Sequence, residues 1–193
     1  MAGVHAVSRF PSVPGAAWFL TSEAAAPAPG CRLGRRVDID LPKRNPESGE
    51  PLPLLPARLR TLLLGAVEAA PRAALGLVGT QHIVKPGDGD LLVVMLARRR
   101  AELSHAAFCT RWLEGHARFG LATAASGYRQ LHAHEAPAED GFDGAGLVFF
   151  RDLDHVAQGR AAPEIAKAAT ADEMEFIDHS RSMLMLFRMS GSP

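Results

Sequence analysis

The sequence predicts an α+β fold, and three observations carry that reading. Four short apolar segments, "LLVVMLA" (91–97), "SGYRQLHAHEA" (126–136), "AGLVFF" (145–150) and "SMLMLFRM" (182–189), have the length and content of strands. Between the first two, Phe108, Trp112, Gly115 and Phe119 repeat at the i, i+4, i+7, i+11 spacing of one helix face. Between the last two, a second helical stretch starts after Asp152, restarts at Pro163 and continues through "EIAKAATADEMEF". The order β-α-β-β-α-β is that of a ferredoxin-like unit.

Proline divides the chain: 11 of the 14 prolines precede residue 90, whereas 6 of the 8 histidines follow it. The segment "KPGDGD" (85–90) reads as a turn or linker, which separates residues 1–86 from residues 91–190. In the first part, "GVHAVSRF" (3–10), "RLGRRVDIDL" (32–41) and "GLVGTQHIVK" (76–85) read as strands. "PARLRTLLLGAVEAA" (56–70) reads as an amphipathic helix, and "LPKRNPESGEPLPLLP" (41–56) as a Pro-rich loop. This resembles a shortened β-α-β…α-β unit, the pattern that a degenerate copy of the second part would give. In the second part "RRRAEL" is a charged loop whose arginines read as a solvated turn. Ser104 then stands as a helix N-cap, with Leu103 and Phe108 at the two positions of a hydrophobic staple. The turn "DGFDG" joins the second and third strands, and Asp152 caps the helix that begins at Leu153.

The totals exclude several classes. Lys plus Arg and Asp plus Glu are 21 each, so the basic excess of a nucleic-acid binder is missing. Cys31 and Cys109 have no metal-ligand spacing and read as reduced thiols. No apolar run reaches the ~18 residues of a membrane span, and the N-terminus lacks the plan of a signal peptide. A cytoplasmic protein without nucleic-acid or membrane partners is expected.

Three stretches of the second part resemble the EthD family of small dimeric α+β-barrel proteins. They are "LLVVMLARRRAELSHAAFCTRWLEGHARF", "GYRQLHAHE" and "ADEMEFIDHSRSMLMLF". The resemblance implies two ferredoxin-like sheets packed into a barrel with a pocket for a small molecule. The second sheet comes from another subunit, as in a homodimer, or from residues 1–86 as an intrachain pseudo-dimer. It also implies chemistry without an organic cofactor, of the dehydratase, cyclase or isomerase kind. The family histidine falls on His116 and the family aspartate on Asp178. This chain departs from the family where His179 follows Asp178 in place of proline, and where Leu131 and Glu135 stand near positions that carry Tyr and His in relatives.

The candidate site is built on these positions. His116 lies eight residues after Phe108 and so borders the apolar stripe, as a proton carrier or as a histidine bonded to a backbone carbonyl. His132 and His134, two apart on a strand, share a face with Tyr128 and Gln130, either lining the pocket or facing solvent. With His116 they could form an acid/base set or hold a metal; the missing fourth ligand favours no metal. Asp178 either fixes a histidine tautomer or caps the turn into the last strand. Phe149 is expected on the barrel side and Phe150 on the helix side, with Trp112 in the core; Phe149, Trp112 and Gln130 are candidate substrate contacts. The expected activity is a cofactor-independent lyase or dehydratase, with Tyr128 holding a developing enolate oxygen. The alternatives are a non-catalytic ligand-holding accessory protein and a cofactor-free monooxygenase.

Overall fold

A computed structural model of the chain describes residues 9–21, 30–39, 41, 43–65, 75–158 and 163–190. Its strands are β1 (Ser12–Leu20), β2 (Arg32–Val37), β3 (Thr61–Gly65), β4 (Leu75–Lys85), β5 (Leu91–Ala97), β6 (Gly127–Ala133), β7 (Gly144–Phe150) and β8 (Met183–Ser190). They close into an antiparallel barrel in the order β1-β3-β2-β8-β5-β7-β6-β4. The first four strands are therefore adjacent as β4-β1-β3-β2, and the last four as β8-β5-β7-β6. Two seams join these quartets. Leu33 to Val37 of β2 pair with Ser190 to Leu186 of β8, and Gly79 to Lys85 of β4 pair with Ala133 to Tyr128 of β6.

Strand alternation sorts the side chains into two layers. Leu92, Val94 and Leu96 of β5, Leu147 and Phe149 of β7 and Phe187 of β8 point into the barrel, where they meet Phe19, Leu62 and Leu77. Each of these side chains, taken out of water, contributes ~1.5–3 kcal/mol. Leu91, Met95, Phe150, Leu184 and Leu186 point outward, to a second core with Phe108, Trp112, Phe176 and Ile177. Phe149 and Phe150 thus take the two sides read from the sequence.

Helices cover this outer face. α1 (His105–Thr110) starts at Ser104, whose side chain accepts from Ala107 N, and a π-helical turn (Arg111–His116) leads into α2 (Ala117–Ala122). α3 (Leu153–Gln158) begins after Asp152, which accepts from His155 N at 2.7 Å, and α4 (Pro163–Glu173) follows. The Pro-rich segment between β2 and β3 lies against the same layer: Leu41 and Leu52 join the outer core, and Leu184 N donates to Pro53 O. No helix of the described residues is long and apolar enough to cross a membrane.

Several sequence expectations need correction. The helix expected over 56–70 is a strand at Thr61–Gly65, with residues 66–70 outside those described. Its run of leucines splits between the two faces, Leu62 and Leu64 inward and Leu63 outward, because β3 is needed between β1 and β2. A short apolar run does not distinguish strand from helix by period alone. The strand expected at 3–10 lies mostly outside the described residues, and the observed strand starts at Ser12. β6 ends at Ala133, three residues early, and α4 stops at Glu173 rather than at Phe176. Gly115 leaves the apolar stripe: a Cβ there would lie 2.1 Å from the Arg111 guanidinium, beside the helix rather than beneath it.

Candidate functional site

The π turn sets the site. The N–H of Ala117 reaches back five residues to Trp112 O, widening the helix so that Trp112 and His116 both face the sheet. His116 is consequently buried, 6% exposed, and not a border residue. Its ring is held between Phe119 and Phe176, with centroids at 5.3 and 5.4 Å.

His116 lines a cavity of about 220 Å³ between the helices and the outer face of the barrel. The floor is Val93, Met95, Gly146 and Val148, and α4 closes one side with Ile165 and Ala169. The family pocket was expected between two sheets, inside the barrel; here the barrel interior holds packed apolar side chains, and the cavity lies outside it. Tyr128 and Trp112 line it too, and Gly120 makes room for the phenol: a Cβ there would sit 2.0 Å from Tyr128 Cδ1.

One end of the cavity is polar. His116 Nδ1 lies 2.8 Å from Asp172 Oδ2, and Arg111 holds the other oxygen of that carboxylate at 2.5 Å. A carboxylate only accepts, so Nδ1 carries the proton and Nε2 is left basic. Nε2 stands 3.6 Å from Glu173 Oε1. Lys43, from the loop between β2 and β3, places its ammonium 2.8 Å from Glu173, and the buried His179 meets Glu173 Oε2 at 3.1 Å. Burial opposes ionisation of Glu173, but Lys43, His179 and His116 outweigh it and bring the carboxyl down to about 2. Burial pushes His116 below its ordinary value, and Glu173 and Asp172 pull it partly back.

Tyr128 contributes a donor. Its oxygen accepts from Trp112 Nε1 at 3.2 Å and from Gln130 Nε2 at 3.1 Å, which leaves its own O–H for another acceptor. Burial raises its pKa, so the phenol stays protonated.

Of the other expected residues, His132 and Gln130 do share a face with Tyr128, but beneath the cavity wall. His132 stacks on Trp112 with centroids at 5.2 Å, and its Nε2 bonds Gln130 Oε1 at 3.0 Å. Burial, then the neighbouring His82 and His105, lower its pKa to about 3. His134 lies past the end of β6 and is exposed. Phe149 is inside the barrel, under the Arg129 guanidinium. Asp178 accepts from Ser180 N at 3.1 Å and Ser180 Oγ at 2.6 Å, which forms the turn into β8; the carboxylate that fixes the histidine is Asp172. Among the described residues no group of three or more His, Cys, Asp or Glu side chains could hold a metal ion.

Sequence reasoning missed Asp172, Glu173 and Lys43. The one available signal was the adjacent acidic pair at the end of an otherwise weakly charged helix. The Glu173 carboxylate meets a lysine 130 residues away, a distance no local pattern reports.

No curated protein matches the chain. A scan against family models matches residues 100–180, the span that carries the π turn, His116, Tyr128, Asp172 and Glu173, but not Lys43. The family model that matches residues 100–180 is that of the EthD domain.

Proposed function

We propose that the protein is a cofactor-independent lyase or isomerase that moves a proton beside a carbonyl in a small, largely apolar substrate. The carrying observation is His116: it lines an apolar cavity with Nδ1 tied to Asp172 at 2.8 Å, so that Nε2 is the basic nitrogen. Nε2 takes the proton from the carbon next to the substrate carbonyl. The imidazolium that forms lies between two carboxylates, Asp172 and Glu173, whose attraction offsets the burial of its charge. Tyr128 O–H donates to the carbonyl oxygen as negative charge gathers there. In a dehydration the electron pair of the broken C–H bond forms the C=C bond, hydroxide departs, and His116 returns the proton to it as water. One histidine then serves both steps, which suits elimination or isomerisation on one face of the substrate.

Deuterium exchange tests this without knowledge of the natural substrate. A panel of small apolar ketones and hydroxyketones in D2O is followed by proton NMR. The wild type should exchange the carbon-bound proton next to the carbonyl of at least one member. His116→Gln should lower that rate by roughly a hundredfold or more, and Asp172→Asn should lower it with little change in affinity. Panel members that bind saturably without exchange would support the other reading, a non-catalytic ligand-holding protein. That reading is favoured by one observation: the charged groups at the polar end already pair with one another.

We also propose that the two strand quartets are two ferredoxin-like units, the first degenerate, in an intrachain pseudo-dimer. The common order, fourth–first–third–second, supports this. A single-chain mass in light scattering is expected; a stable homodimer would require a further surface.

A further inference from the structure

A second cavity, of about 230 Å³, opens where β5 gives way to the loop before α1. Arg98, Arg99 and Arg181 line it, together with the loop around Glu139 and Gly141. The three cations are not equally neutralised. Arg99 has its carboxylate: Nη1 lies 2.6 Å from Asp143 Oδ1, and the Arg99 N–H donates to Asp143 Oδ2 at 2.9 Å. Asp143 is then fully engaged, since His105 Nδ1 shares Oδ1 at 2.8 Å.

Arg98 and Arg181 have no such partner. Both donate to one neutral acceptor, the carbonyl oxygen of Glu139, at 3.0 and 2.6 Å. Arg98 also donates to Asp140 O, and its nearest carboxylate is the solvent-exposed Asp140 at 4.0 Å. Among the described residues Arg181 makes no ion pair. The Arg98 Nε–H is buried without an acceptor, and the guanidinium face rests on Phe142 at 4.7 Å. Burial, then Arg181, disfavour the charge on Arg98, and Asp140, Asp178 and Asp143 only partly offset them. If the only task were to tie down the 137–141 loop, one guanidinium would suffice. A second on the same carbonyl adds like-charge repulsion and leaves a buried donor unmet, at a cost of free energy.

We propose that this cavity is an oxyanion site, in which Arg98 and Arg181 clamp the phosphate or carboxylate group of a small molecule. Planar guanidinium forks suit either group, because each offers parallel N–H donors to paired oxygens. The site is separate from the His116 cavity and stands or falls independently of the activity proposed there.

The test uses the full chain, with sodium phosphate and sodium acetate each titrated at constant ionic strength against chloride. Binding is read by calorimetry and by the guanidinium Nε–H resonances. Saturable binding of phosphate, of acetate or of both is expected, with a shift of the Arg98 Nε–H signal; which anion binds identifies the group. Arg181→Gln, at an exposed position, should fold normally and weaken that binding about tenfold, whereas Arg58→Gln, on a remote exposed loop, should leave it unchanged. Absence of saturable binding by both anions would overturn the proposal. So would equal affinities in the wild type and Arg181→Gln.

Discussion

His132 offers a quantitative test of how the site is divided. In the folded protein its pKa is lowered to about 3, first by burial against Trp112 and then by His82 and His105. In the unfolded chain it titrates near ~6.5. Between those values the unfolded chain binds a proton that the native one refuses, so stability rises with pH and is lost on acidification. From pH 7 to pH 5 the unfolded state gains nearly the whole benefit of about one and a half pH units, ~2 kcal/mol at ~1.4 kcal/mol per unit. His132→Gln removes the titration. Its absolute stability will differ from that of the wild type, but the change between the two pH values isolates the effect. Urea unfolding of both proteins at pH 7 and pH 5 should give a wild-type loss exceeding that of the variant by ~2 kcal/mol. Equal losses would mean that His132 titrates normally in the fold. It would then be available as a proton carrier, and the assignment of that role to His116 alone would fail.

Glu173 gives an acid limb of its own. Its folded pKa of about 2 lies below the ordinary carboxylate value, so its contribution is full above ~4.3 and disappears as pH falls through about 2. Glu173→Gln should flatten the acid unfolding profile over that window in circular dichroism. Trp112→Ala should cost ~3–5 kcal/mol in denaturant unfolding, because the side chain is 2% exposed between helix and sheet. Gly120→Ala should cost ~1–3 kcal/mol, read as a lower melting temperature, since the new methyl meets the Tyr128 ring.

What the sequence made legible was local. Ser104 and Asp152 cap helices by bonds to residues three positions away, and the four strands of the second part are runs of apolar residues between turn signals. The strand at Thr61–Gly65 was not legible, because a leucine triplet satisfies helix and strand alike and only the closing barrel selects between them. The π turn hid the orientation of His116: a regular helix would leave it at the edge of the stripe, and one widened turn moves it under the helix. Asp172 looks like a solvated helix residue until Arg111, 61 positions earlier, is folded against it. Arg98 and Arg99 of the second cavity look like a charged loop for the same reason.

Barrel closure also constrains the order of folding. Leu33 of β2 pairs with Ser190 of β8, 157 residues later, so one seam joins only after nearly the whole described chain is in place. Such pairings raise the contact order and slow the search for the native state, because loop entropy is spent before any ladder bond is made. Until then β2 and β8, like β4 and β6, are bare sheet edges able to pair with another copy. A fragment limited to the matched residues 100–180 would keep β6 and β7 but lack β5, β8 and both partners from the first quartet. Expressed alone, it should associate through the bared edges of β6 and β7 rather than fold as a soluble unit.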